Sequence, residues 1–287
     1  MRGLPPGSFP VPWAEFSRNV GSTLWAGRFH GAGIIPLGIL LLPLAGGPGA
    51  PPLSSPRPAQ VVHAGGPGSS QDLRSRPRSS HFILVGDGNN RSDRLEHEVL
   101  KSLETWYGRF LILFEGQPAS PITVHLYSAR LFHKLTGAPQ WADGLFAPDG
   151  TIRLAIPQVG RLEPDLDRVL IHELAHAFIT SRSGGQAPRW LQEGLAQILS
   201  GTPAPSADRL AHPASTPAGL DHAGALSFTR FLVKLYGMRT VLDLLAPMAS
   251  GDGPDQVLAG LNGEDLTSQY DAWRQSRRPS AKKASGS

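Results

Sequence analysis

The sequence predicts an α+β domain spanning residues 81–275, and three observations predict it. Short apolar runs bounded by turn residues occur only in the first half, at Phe82-Ile83-Leu84-Val85, Pro121–Tyr127 and Thr151–Ile156. One later run, Val169 to Ile179, is apolar almost all round and long enough for a buried helix. Beyond residue 188 only helical spacing continues. The expected architecture is a small mixed sheet with a helix, then a central buried helix, then a helical C-terminal half.

The flanks differ in composition. Residues 1–32 carry Arg2, Arg18 and Arg28 against a single acid, Glu15, and the apolar stretch Gly33–Ala45 follows. With Ala45-Gly46-Gly47 offering small residues before a cleavage point, residues 1–47 read as a signal peptide and the protein as exported. A start codon further in would shorten the positively charged region. The apolar stretch is short and broken by Pro36 and Pro43, so no stable membrane span is expected in the mature chain. Residues 48–80 are rich in Pro, Gly and Ser and read as a disordered linker, and residues 276–287 as a basic disordered tail.

The net charge of +4 belongs to these ends. Residues 81–275 contain 16 Lys and Arg against 21 Asp and Glu, a net of −5. A nucleic-acid footprint needs a basic stripe on the folded part, so no nucleic-acid partner is expected. The chain has no Cys, which excludes disulfides, thiolate catalysis and Cys-type zinc fingers.

Within the domain each element has its own signal. Phe82–Val85 is a strand ended by the turn cluster Gly86–Asn90. Ser92 or Asp93 caps a helix to about Phe114, in which Leu95, Val99, Leu103, Trp106, Tyr107 and Phe110 recur at helical spacing. In the next strand Ile122, Val124 and Leu126 share one face and Thr123, His125 and Tyr127 the other, with His125 read as structural. A short helix covers Ala129–Leu135. Ala147-Pro148-Asp149-Gly150 is a turn before the strand Thr151–Ile156, which Pro157 closes. That strand is either an edge strand able to pair with extended substrate or an ordinary paired strand. Asp165 or Glu163 caps the central helix, while Asp167 is a capping acid or a partner for a histidine ligand. Gly201–Pro217 is a loop with a solvated His212. Helices are expected over Leu220–Tyr236, Thr240–Leu245, Asp255–Leu261 and Asp265–Trp273.

The chemistry sits on the central helix as His172-Glu173-Leu174-Ala175-His176. Positions i and i+4 project from one helix face, so both imidazoles can reach one metal ion. Apolar flanks argue against two solvated histidines, because a buried helix does not carry two His and a Glu without partners. Zinc suits neutral imidazoles and needs a third protein ligand at a catalytic site. Glu193 follows seventeen residues after His176, on a helix beginning past Gly184-Gly185, and can come back antiparallel.

His172-Glu173-Leu174-Ala175-His176 followed by Trp190-Leu191-Gln192-Glu193-Gly194-Leu195-Ala196 resembles the gluzincin metallopeptidases, specifically the bacterial peptidase MA-like domains. The similarity extends from about His81 to Tyr236, and only the two helical motifs are specific. It implies a zincin-like domain, one Zn2+ per chain held by His172, His176 and Glu193, and Glu173 as general base. It further implies an oxyanion donor from a helix after the third ligand, for which His222 and Tyr236 are the candidates; His222 as a helix-start surface residue is the competing reading. The expected reaction is hydrolysis of peptide bonds in a peptide or protein substrate. Two rivals remain on sequence: a catalytically silent zincin-fold binding or scaffold protein of the cell envelope, and a metal-dependent amidase acting on cell-wall fragments. A retained Glu173 argues against the first, since a scaffold has no use for a base. The oligomeric state is left unassigned.

Overall fold

The computed structural model describes residues 76–86, 92–156, 162–210 and 213–277. The signal-peptide expectation, residues 278–287 of the tail, most of the linker, the turn at 87–90, Pro157 and His212 lie outside the described residues, while Ser276, expected in the disordered tail, ends the last helix.

The fold is α+β, with a mixed four-stranded sheet and nine α-helices among the described residues. Strand β1 is Phe82–Gly86 and leads to helix α1, Asp93–Phe114. Ser92 is the cap: its side chain accepts from the Leu95 N–H at 3.4 Å. Strand β2, Ile122–Ser128, runs into helix α2, Ala129–Thr136. Then come β3, Gly144–Phe146, and β4, Ile152–Ile156. The order across the sheet is β1-β2-β4-β3, with β1, β2 and β4 parallel and β3 antiparallel to β4. β4 is therefore an inner strand. The open edge is the three-residue β3, which was not expected, and the ordinary paired reading of Thr151–Ile156 is the one the structure takes. The other edge is covered: residues 77–79 turn back on β1, with an Arg78–Ile83 bridge and a Leu84 N–H to Pro77 carbonyl bond of 2.9 Å.

Alternation along the strands separates two cores. Phe82, Leu84, Ile122, Val124, Leu126, Ile152, Leu154 and Ile156 face the main one, under α1 and helix α3, Pro164–Ser183. On the opposite face Ala155 and Leu145 join Phe132 of α2 with Ala138 and Ala142, and Trp141 packs against them. In the main core Phe178 of α3 is ringed by Tyr107, Phe110 and Phe114 of α1, with centroids 5.1–5.5 Å away.

Helix α3 stops at Gly184, whose φ of 57° and the 76° of Gly185 are left-handed values that suit glycine. Helix α4, Arg189–Leu199, returns against it. Two 3-10 turns, Asp208–Leu210 and Pro217–Gly219, precede helix α5, His222–Tyr236. Gly237 breaks the chain, and α6 (Met238–Asp243), α7 (Leu245–Ala249), α8 (Pro254–Asn262) and α9 (Leu266–Ser276) complete the domain. The helix expected at Thr240–Leu245 is thus two short helices. Phe228 joins this half to α4, its ring 4.9 Å from Trp190, 5.2 Å from Tyr270 and 5.5 Å from Trp273. Among the described residues no helix is long and apolar enough to cross a membrane.

Candidate metal centre

Helix α3 is wedged between the sheet, α1 and α4, which buries His172, Glu173 and His176 to 2 % exposure or less. Two histidines one helical turn apart cannot avoid each other on such a face, and their Nε2 atoms stand 3.1 Å apart. The Gly184-Gly185 corner brings α4 back so that Glu193, 1 % exposed, points at the pair. One oxygen of Glu193, Oε2, lies 3.6 Å from His172 Nε2, 3.9 Å from His176 Nε2 and 3.3 Å from His222 Nε2.

These groups are poorly satisfied by one another. Both Glu193 oxygens, Glu173 Oε2 and His172 Nδ1 are buried without a hydrogen-bond partner. A buried carboxylate left without compensation costs roughly several kcal/mol, so the cluster is a candidate to hold a cation. His172, His176 and Glu193 each offer one ligand atom within 4.8 Å of the others. Tetrahedral zinc with bonds of about 2.0–2.1 Å separates its ligand atoms by roughly 3.3 Å, so the donor type, count and spacing fit zinc.

The electrostatics follow from burial. In the metal-free chain burial lowers the His176 imidazole to about 3, which keeps it neutral, the state a metal ligand needs. Burial also raises the Glu173 carboxyl well above its usual range, and the charge of Glu193 adds to this. Burial would raise Glu193 too, but the surrounding imidazoles of His172, His222 and His176 outweigh it and hold that carboxyl low. Two carboxyls in one dry space are thereby pushed in opposite directions.

Three supporting residues were not expected from the sequence. Gln192 donates from Nε2 to the Ala187 carbonyl at 2.7 Å and is hydrogen-bonded to the His176 side chain. Gln197 donates to the carbonyls of Glu193 (3.1 Å) and His222 (2.9 Å), tying α4 to the start of α5. The Phe146 N–H of β3 is hydrogen-bonded to Glu173. No local pattern marks the two glutamines, whereas Gly144-Leu145-Phe146 before a Pro-Asp-Gly turn is a hairpin signal.

His222 is brought to the site and Tyr236 is not. Asp221 caps α5 by accepting from the Gly224 N–H at 2.8 Å, placing His222 in the first turn. Its side chain keeps 15 % exposure and meets Trp141 edge to face at 6.0 Å, so it borders the triad on the solvent side. Tyr236 lies fourteen residues further along the same helix, about 21 Å away at 1.5 Å per residue. Its hydroxyl meets Asn262 Nδ2 at 2.9 Å and Gln269, at the α8–α9 end. As an oxyanion donor Tyr236 is therefore corrected. Asp167 is corrected as a histidine partner as well: it accepts from Ser102 of α1 and lines a surface cavity of about 260 Å3 with Glu98, Trp106 and Leu162. Asp165 pairs with Arg168 at 2.9 Å, and Glu163 occupies the N-cap position of α3. His125 stacks on Tyr127, and burial lowers its imidazole.

The α4–α5 crossing is close because Gly194 has no side chain. A Cβ there would stand 2.0 Å from Thr229 Oγ1 and 2.7 Å from the Ala225 carbonyl. Gly194→Ala is expected to destabilise the protein by about 1–3 kcal/mol, the usual effect of overpacking. Denaturant unfolding checks this, and an unchanged midpoint would mean that the helices are not held in this crossing.

No protein-family model and no curated protein matches the chain.

Proposed function

We propose that the chain is an exported zinc-dependent peptidase with a zincin-like domain of the gluzincin kind, acting on peptide or protein substrates. The observation that carries this reading is the convergence of His172, His176 and Glu193, with unpaired buried ligand atoms, beside a buried Glu173. Export is supported by the composition of residues 1–47.

His172, His176 and Glu193 would hold the metal, with Gln192 hydrogen-bonded to the His176 side chain. Zinc, when bound, supplies a Lewis acid that polarises the scissile carbonyl and lowers the pKa of a water to about 7. Glu173 accepts the proton of the attacking water and delivers it to the leaving amine. His222, at the solvent side of Glu193, donates to the oxyanion that develops on the former carbonyl oxygen. Edge strand β3 aligns the substrate. Asp143 C=O accepts from the Ala155 N–H and Ala147 N–H donates to the Thr151 C=O, each at 2.8 Å, so alternation turns the N–H and C=O of Gly144 away from β4, the direction from which an extended peptide would pair.

Elemental analysis of the full chain, purified without a histidine tag, tests the metal site. One zinc per chain is expected, and Glu193→Ala is expected to lose it. A peptide library should be cut by the zinc-loaded protein and spared after chelation. No zinc after reconstitution would end the reading; zinc without cleavage of any peptide would leave a metal-holding protein that is not a peptidase.

A further inference from the structure

Gly144 lies closer to Glu173 than a position with a side chain could. A Cβ built on Gly144 would stand 2.7 Å from Glu173 Oε1, 3.0 Å from Glu173 Cγ and 2.5 Å from Val169 Cγ1. Val169 and Glu173 are one turn apart on α3, so Gly144 rests in the notch between two neighbours on one helix face. The φ of Gly144 is not in the left-handed region, so the backbone itself would accept another residue. Space alone demands glycine here. Two residues on, the Phe146 N–H bonds to the same glutamate. Strand β3 thus meets the Glu173 side chain at two points, one a bond and one a contact that only hydrogen can occupy.

We propose that Gly144 is a positioning residue for Glu173, its missing side chain fixing where the carboxylate stands relative to a peptide paired on the same strand. The inference rests on the peptidase reading and adds a role for the strand: it aligns the substrate and sets the base by one backbone. Non-bonded carbon and oxygen atoms cannot approach to 2.7 Å, so an alanine would drive the carboxylate aside by roughly half an ångström or more. The carboxylate cannot yield toward Val169, whose methyl closes that side. Misplacement of a reacting group on this scale lowers the rate on the order of tenfold to a hundredfold.

The test uses Gly144→Ala, Val169→Ala and the double variant in the full zinc-loaded chain, with zinc content, thermal midpoint, kcat and KM measured for each. Gly144→Ala is expected to bind one zinc, to lose stability, and to lose about tenfold to a hundredfold in kcat with KM little changed. Val169→Ala alone is the reference for the double variant, since it removes the methyl that closes the far side of the carboxylate. Removing the Val169 methyls in the double variant relieves the packing collision but not the one with Oε1, so relative to Val169→Ala the thermal midpoint should recover while kcat stays low. Recovery of both together, or a wild-type kcat in Gly144→Ala, would overturn the positioning role and leave the peptidase reading standing. A wild-type chain that holds zinc but cleaves nothing overturns both. If Gly144→Ala does not fold, the double variant alone carries the comparison, against Val169→Ala.

Discussion

Glu173→Gln is expected to lower kcat by on the order of 10²–10⁴-fold while one zinc per chain remains bound. The substitution keeps size and shape, so the Phe146 N–H retains an acceptor and the notch under Gly144 stays filled. What it removes is the capacity to take a proton. Glu173 suits that task because burial, reinforced by the charge of Glu193, raises its carboxyl well above its usual range. Steady-state kinetics on any peptide the wild type cleaves, paired with elemental analysis, decides the matter. A variant that lost zinc along with activity would make Glu173 structural. One that kept both would mean that a different group handles the proton.

The second large effect concerns stability. Metal-free protein confines two carboxyls and two imidazoles in a space where several atoms have no partner. Zinc binding to the folded chain alone should stabilise it by about 2.7 kcal/mol at a free concentration one hundred times Kd. For a domain of this size that is roughly 5–10 °C in the thermal midpoint. Glu193→Ala should abolish the zinc-induced rise. Its own cost without metal should be small, since it deletes a buried carboxylate together with the need to compensate it. Differential scanning calorimetry with and without zinc measures both. An equal zinc response in wild type and Glu193→Ala would remove Glu193 from the ligand set.

The parts of the centre that could be read from the chain are those with local spacing. His172 and His176 share a helix face whatever surrounds them, and Glu193 is recoverable because two glycines force a corner between amphipathic helices. The strands β1, β2 and β4 show their inward faces through alternation, and the helices their buried stripes through period. What was not legible depends on how elements meet. Tyr236 and His222 share one helix, and the sequence cannot say which end approaches Glu193; the close fit of Gly194 on Thr229 and the Gln197 bonds decide it. Asp167 faces α1 rather than the histidines because of its angular position on α3, a matter of which neighbour packs there. Strand β3 has three residues, too few for a period to show, and its importance lies in contacts of Gly144 that no composition reveals.

The two sheet edges are finished differently, and the difference bears on self-association. Along β1 the preceding residues fold back and occupy the outward groups, including the Phe82 carbonyl and the Leu84 N–H. That fold-back shortens the stretch of β1 left for a neighbouring molecule to pair with. The β3 edge is open but runs for only three residues, with the Phe146 N–H already held by Glu173. Within it Gly144, the residue whose backbone groups turn away from β4, is itself buried. The edge falls short of the long flat border on which strands from successive copies stack into aggregates. On the proposed reading, a strand this short would take one extended segment of substrate without giving the protein's own copies a border to stack on.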